Sequence, residues 1–139
     1  MIGIDTNILL RWMIGPDEWD IGSSKKESEA VEKTILAKGS EFFVNSIVIA
    51  ETAWILEQKL KLRRAEVCEV IDRLLYSVNI KIGDVNAVND ARQAFEAANI
   101  EFADCLISSL NREAGCRYTL TFDRKAANHA GFRNIYAKD

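Results

Sequence analysis

Residues 1–10 have the sequence MIGIDTNILL, and this stretch decides how the whole chain is interpreted. The run from Met1 to Ile4 is short and apolar and ends abruptly at Asp5, which is typical of a buried strand. Thr6 and Asn7 are good N-cap residues, and the apolar residues after them recur at helical spacing. Asp5 is therefore predicted where a strand passes into a helix, and ligands bind at that edge of an open parallel sheet. The alternative is that Asp5 only caps the helix.

Helices and strands alternate along the rest of the chain. After turns at 15–17 and 22–24, helices are predicted at about 24–38, 47–60, 65–76, 85–98 and 102–114, and strands at 41–45, 79–83, 117–122 and 134–136. Ser24 with Glu27, Ser46 and Asp84 are the expected helix caps. The alternation predicts an α/β fold with a central, mainly parallel sheet of four to five strands, in a single domain over 1–139. The helical pair at about 47–76 has no strand between its helices and is an insertion in that pattern.

Composition and charge exclude several classes of protein. The 139 residues are 48% hydrophobic and 28% charged, which is typical of a globular domain. No apolar run reaches the roughly 18 residues of a membrane span, and no signal segment precedes the first strand, so a cytoplasmic protein is expected. Cys68, Cys105 and Cys116 are widely spaced and odd in number, which favours reduced thiols over disulfides or a zinc site. The net charge of −3 argues against a broad electrostatic grip on nucleic acid but leaves room for a local basic patch.

Four of the 21 acidic residues stand apart by position. Asp5 and Asp123 end apolar strands, whereas Glu51 and Asp104 lie in the first turns of apolar helices. Because strand ends and the helix starts that follow them share one sheet edge, all four carboxylates are expected to meet there. Four adjacent carboxylates repel one another, and a divalent cation would relieve the repulsion. Oxygen ligands select Mg²⁺ or Mn²⁺, whereas the single histidine, His129, cannot build a His-rich zinc site. The simpler alternatives are an ion pair for Glu51 and a helix-dipole contact for Asp104.

Four short motifs follow one another along the chain. They are Met-Ile-x-x-Asp-Thr-Asn-Ile-Leu at the start, Ser46 to Glu51 followed by Trp54 and Leu56, Phe102-Ala103-Asp104-x-Leu106-Ile107, and Thr121-Phe122-Asp123. In this order and spacing they resemble the PIN domain, and more narrowly the VapC-type ribonuclease toxins of toxin–antitoxin pairs. The resemblance covers nearly the whole chain. Glu101 is a departure, since many such sequences carry Asp there, but the matching metal position, Asp104, is present.

The resemblance implies a three-layer α/β/α fold and Mg²⁺- or Mn²⁺-dependent cleavage of RNA phosphodiester bonds. Asp5 and Asp104 are the first choices as direct metal ligands, and Glu51 would bind through water or act as the base toward the attacking water. The residues carried over are the catalytic and metal-binding quartet Asp5, Glu51, Asp104 and Asp123, with Asn7 and Thr121 orienting it.

Partners are also implied. Arg11, Arg124 and Lys125 are candidate contacts for RNA phosphates, with solvated surface cations as the alternative. A small VapB-like antitoxin is expected to insert Arg or Lys among the acids and displace the metal. Because VapC-like proteins are commonly homodimers and the predicted helix 65–76 has a wide apolar stripe, a twofold dimer through the helical pair 47–76 is expected.

Three other functions fit part of the pattern. A receiver-type phosphoacceptor has an acid cluster with Mg²⁺ at this sheet edge, and Lys125 near Asp123 suits it, but Thr6 stands where its second acid is needed. A haloacid-dehalogenase-type phosphatase uses Asp-x-Asp after the first strand, whereas this chain has Asp5-x-Asn7. A non-catalytic, cation-bound PIN-like interaction module is the third alternative.

Overall fold

The computed structural model describes residues 1–14, 25–35, 37 and 39–138. The predicted turns at 15–17 and 22–24, and the expected cap Ser24, lie outside these residues. The helices are α1 (Thr6–Ile14), α2 (Lys25–Ile35), α3 (Ser46–Gln58), α4 (Arg64–Leu75), α5 (Val85–Ala97), α6 (Phe102–Glu113) and α7 (Arg124–Ala127). The strands are β1 (Ile2–Gly3), β2 (Phe42–Val44), β3 (Ile80–Ile82), β4 (Thr119–Thr121) and β5 (Phe132–Asn134).

All strand pairings in the described part of the chain are parallel, as predicted for this α/β fold. β2 lies between β1 and β3, with Phe42 opposite Ile2 and Ile80. β4 pairs with β5, with Thr119 opposite Phe132. The predicted single sheet is therefore divided into a three-stranded and a two-stranded ladder among the described residues. β1 is only two residues long, so it offers few backbone groups to a second neighbouring strand.

The core surrounds β2 and β3 and takes side chains from helices α1 to α6. Phe42 and Val44 of β2 are buried, and Phe95 of α5 meets Phe102 of α6 edge to face with ring centroids 5.7 Å apart. Burying a side chain of this size contributes about 1.5–3 kcal/mol. The aromatic contact fixes the end of α5 against the start of α6, which is where Asp104 lies.

The helical pair α3–α4 has no strand between its helices, as predicted. The apolar stripe of α4 is covered within the chain, because Val67, Ile71 and Leu74 are all buried. The expectation that this stripe is left over for a partner is therefore wrong. The exposed apolar side chains of the pair lie on α3 instead, where Ile47 and Trp54 are both more than 40% exposed. No helix in the described residues is long and apolar enough to cross a membrane.

Several helix and strand ends differ from their predicted positions. Asn45, not Ser46, caps α3, because its Oδ1 accepts the backbone N–H of Val48 at 3.0 Å. Asp84 occupies the N-cap position of α5, but with φ of 51° its side chain makes no capping bond. β5 begins two residues earlier than predicted because its register with β4 is set after Gly131. That glycine has a φ of +92°, and a Cβ there would collide with the Ser108 Oγ.

Candidate active site

A cavity of about 560 Å³ lies where the end of α3, the loop before α6 and the loop after β4 meet. Its wall combines four carboxylates with two cations. The balance is acidic, so the cavity attracts cations and needs them to hold a phosphate. The lining residues are Glu57, Gln58, Leu62, Arg64, Phe95, Asn99, Ile100, Glu101, Asp104, Asp123 and Lys125.

Asp104 lies in the first turn of α6, where the apolar residues on either side draw the helix onto the core. Burial raises the pKa of its carboxyl group, and the negative charges of Glu101 and Asp123 raise it further. Burial and nearby negative charge both disfavour the ionised form of this carboxyl group. A proton or a metal cation would relieve the repulsion between Asp104 and Asp123.

Asp123 follows β4 and caps the short helix α7. Its Oδ1 accepts the backbone N–H groups of Lys125 at 2.8 Å and Ala126 at 3.3 Å. The backbone N–H of Asp123 donates to Thr121 Oγ1 at 2.9 Å, so the Thr121 side chain fixes the turn that carries the acid. The sequence motif Thr-Phe-Asp thus gives a rigid carboxylate at the cavity. The helix α7 itself was missed because four residues are too few to show helical periodicity.

Asp5 also caps a helix, but at a different place. Its Oδ1 accepts the backbone N–H of Ile8 at 3.0 Å, which is the capping alternative considered from the sequence. Asp5 lines a separate, mainly apolar cleft of about 490 Å³ beside α2, together with Ile2 and Thr34. Asn7, predicted to orient the quartet, is exposed, and its carbonyl oxygen accepts a hydrogen bond from Arg11. Neither Asp5 nor Asn7 lines the cavity that holds Asp104 and Asp123.

Glu51 is exposed on α3 and does not line the cavity either. Glu57, two turns further along α3, does. Its Oε2 accepts the backbone N–H of Phe102 at 3.4 Å, at the start of α6. Burial raises the pKa of Glu57; the nearby carboxylates of Glu101 and Asp104 act in the same direction, while the Phe102 N–H and Arg64 oppose them. Glu57 could not be found from the sequence, because it lies near the end of α3 and is half-buried only by tertiary packing.

The donor set suits a hard, hydrated cation. Within the described residues no three His, Cys, Asp or Glu side chains converge closely enough to hold a metal ion between them. Mg²⁺ normally keeps several waters and binds through one or two carboxylates. Asp104 and Asp123 interact electrostatically and line one cavity, so this pair fits Mg²⁺ or Mn²⁺.

The three residues predicted to contact RNA phosphates lie in different surroundings in the structure. Arg11 Nη2 forms an ion pair with Glu27 Oε2 at 3.3 Å, so its guanidinium is already engaged. Lys125 lines the cavity beside Asp123, and Arg124 is exposed at the first position of α7 without lining it. Lys125 is therefore the cation best placed to meet a phosphate in the cavity.

Comparison with known proteins agrees with this architecture. The sequence model of the PIN domain matches residues 2–132, and the chain belongs to the PIN domain family. The chain is also 26% identical over 133 residues to a VapC ribonuclease of Aquifex aeolicus (strain VF5), and the match spans 95% of this chain and 93% of that protein. No solved structure gives a significant match. Membership of the PIN domain family excludes the receiver-type and haloacid-dehalogenase-type alternatives for this chain.

Proposed function

We propose that this protein is a Mg²⁺- or Mn²⁺-dependent endoribonuclease and the toxin of a VapBC-type pair. The observation that carries the proposal is the repelling pair Asp104 and Asp123, which lines one cavity with Lys125. The full-length similarity to a VapC ribonuclease supports it. Asp104 and Asp123 are the residues that would hold a divalent cation, and such a cation would supply the charge stabilisation that phosphodiester cleavage needs.

In the proposed reaction each cavity residue has a separate task. Asp104 and Asp123 would hold the metal, which would supply charge stabilisation and an activated water when bound. Lys125 binds the phosphate as a point charge. Glu57 is half-buried and its carboxyl pKa is raised, which suits it to take a proton from the attacking water.

The resemblance adds Asp5 and Glu51 as metal ligands or base, with Asn7 and Thr121 orienting them. Since neither Asp5 nor Glu51 lines the cavity, each needs its own test. Asp5→Asn keeps a cap for α1, because Asn accepts the Ile8 N–H as Asp does. Loss of cleavage in Asp5→Asn and in Glu51→Gln, with unchanged melting temperatures, would support their place in the site; full activity in both would remove them from it.

The decisive experiment is a ribonuclease assay on single-stranded RNA with Mg²⁺ or Mn²⁺ and, separately, with EDTA. Asp104→Asn should reduce the cleavage rate at least a hundredfold, while Glu113→Gln, an exposed acid on the same helix, should cleave like the wild type. We expect no cleavage in EDTA. Equal cleavage by Asp104→Asn and the wild type would refute the site. No cleavage by the wild type with either metal would favour the non-catalytic module.

The same acidic cavity is suited to an inhibitor that carries a guanidinium. A VapB-like antitoxin would insert Arg or Lys near Asp104 and Asp123, where an arginine pairs with two oxygens at once. A synthetic peptide with a central Arg should then lose affinity as Mn²⁺ is raised, and its Arg→Gln version should bind weakly throughout. A peptide affinity that is independent of Mn²⁺ would place inhibition elsewhere on the protein.

We also propose a twofold homodimer through the helical pair, now centred on α3. Ile47 and Trp54 are two turns apart on this helix, and both are exposed. Trp54→Glu should convert a dimer to a monomer in light scattering at micromolar concentration, and Tyr136→Ala should not. A wild-type monomer under these conditions would refute the dimer.

A further inference from the structure

Positive charge is unevenly distributed along this acidic chain. The segment 117–138 contains five Lys or Arg residues and a single acid, Asp123, although the whole chain has a net charge of −3. A basic segment in an acidic protein indicates a local surface for an anionic partner. This segment contains β4, α7 and β5 and therefore lies directly beside the cavity.

Exposed apolar side chains alternate along β4 and its flanking residues. Tyr118, Leu120 and Phe122 are exposed, whereas Thr119 and Thr121 between them are half-buried. Side chains two apart in a strand point to the same face, so these three form one surface. Leu120 is 57% exposed and Phe122 71% exposed, which is high for large apolar residues in and beside a strand.

Aromatic rings and guanidinium groups are paired on this surface. Arg117 and Arg133 lie over the Tyr118 ring, at 5.7 and 5.2 Å from its centroid. The ring of Tyr136, which is 79% exposed, lies 5.9 Å from that of Phe122 and is tilted by 55° to it. We call the surface formed by Tyr118, Leu120, Phe122 and Tyr136, with Arg117 and Arg133, the ladder face.

We propose that the ladder face binds single-stranded RNA, with unpaired bases stacking on Phe122 and Tyr136. Single-strand binding sites combine a basic track with exposed aromatic rings, and the ladder face has both. Phe122 directly precedes Asp123, so a strand lying on this face leads into the cavity past Lys125. The proposal rests on the ribonuclease function, because it describes how the substrate strand reaches the same site. A protein partner is the competing occupant, but the excess of cations favours a polyanion.

The test measures binding without chemistry. Anisotropy of a short fluorescent single-stranded oligoribonucleotide is recorded in EDTA at low salt. The double substitution Phe122→Ala/Tyr136→Ala should weaken binding about tenfold or more, because each removes a stacking surface. Tyr76→Ala is the matched control, since Tyr76 is 85% exposed at the end of α4, outside the ladder face, and this variant should bind like the wild type. Phe122→Trp should keep the affinity. Because the substituted side chains are exposed, melting temperatures should change little.

Two further measurements sharpen the test. The same sequence as a duplex should bind more weakly than the single strand, because its bases are not available for stacking. Arg117→Gln should reduce the slope of log affinity against log salt by about 0.7, the value for one phosphate contact in a single strand. An undiminished affinity in the double variant, absent binding by the wild type, or equal duplex binding would each overturn the proposal. The first of these would leave the face to a protein partner.

This outcome is separable from that of the ribonuclease assay. If the wild type cleaves RNA with Mg²⁺ and the double variant binds and cleaves equally well, the ladder face is refuted and the ribonuclease stands. If the wild type never cleaves but the double variant loses RNA affinity, the ribonuclease is refuted and the ladder face stands as a binding surface.

Discussion

Arg64 donates from its Nη1 to the carbonyl oxygen of Ile100 at 3.0 Å, and from the same nitrogen to that of Phe95 at 2.9 Å. Its guanidinium carbon also lies 4.1 Å from the centroid of the Phe95 ring. One side chain at the start of α4 thus holds both the end of α5 and the loop before α6. The position of Asp104 depends on that loop, so Arg64 positions the site without contributing a carboxylate to it.

Replacing Arg64 should therefore cost both stability and activity. Arg64→Met leaves two carbonyl groups without their charged donor, and each such hydrogen bond contributes about 1.5–3 kcal/mol. We expect a clear loss of free energy of unfolding in urea and a lower cleavage rate. Arg63→Met, next to it, removes only an exposed ion pair with Glu66 and should change both far less. Equal unfolding curves for the two variants would contradict the role assigned to Arg64.

Removing the repulsion at the site should stabilise the metal-free protein. In Asp104→Asn/Asp123→Asn the cap of α7 is retained, because Asn still accepts the Lys125 N–H. Without metal, the melting temperature should rise by roughly 1–3 °C. A gain of a fraction of a kcal/mol in the free energy of unfolding produces a shift of this size in a domain of this length. Mn²⁺ should raise the wild-type melting temperature and leave the variant unchanged, since ligand at 100 times its Kd adds about 2.7 kcal/mol. A preserved Mn²⁺ response would mean that the ion binds elsewhere.

Glu57 should make the metal-free protein less stable as the pH rises. Its carboxyl pKa is raised in the fold, mainly by burial, so the folded state holds that proton more tightly than the unfolded state. The stabilising contribution of the neutral form is complete below the ordinary glutamate pKa. It is lost as the pH rises through the higher pKa of the folded state. Glu57→Gln keeps an acceptor for the Phe102 N–H and should remove this loss of stability. The melting temperature of Glu57→Gln relative to that of the wild type should therefore rise between pH 4 and 7. A pH-independent difference would contradict the raised pKa.

The three cysteines should differ sharply in reactivity. Burial raises the pKa of Cys105 to about 11 and also raises that of Cys68, whereas Cys116 is exposed. Ellman's reagent at pH 8 should therefore titrate one thiol in the native protein and three after denaturation. The variant Cys116→Ser should show no rapid reaction. Two fast thiols in the native wild type would contradict the packing of α4 or α6.

Local sequence patterns predicted the order of helices and strands well, because apolar periodicity and turn residues act over short distances. The rule that strand ends and helix starts share a sheet edge predicted a meeting of four acids; Asp104 and Asp123 line one cavity, although α6 follows α5 and not a strand. That rule does not determine how closely two ladders approach, so it also placed Asp5 and Glu51 in the cavity, where this structure does not have them. The half-burial of Glu57 depends on packing between distant segments, for which the sequence has no local signal. The alternation of Tyr118, Leu120 and Phe122 is visible in the sequence, but the contact of Phe122 with Tyr136 is not.

Asp5 and Asp123 each accept first-turn N–H groups of a helix, whereas Asp104 lies inside α6, whose N-cap residue is Glu101. Folding alone thus constrains two of the four predicted acids. In a lineage that lost the activity, positions 5 and 123 would drift only among residues that still cap, namely Asp, Asn, Ser and Thr. Position 104 would be free to accept an alanine or a lysine. Among duplicated copies of this gene, the residue at 104 would therefore record whether selection for the proposed ribonuclease activity had persisted.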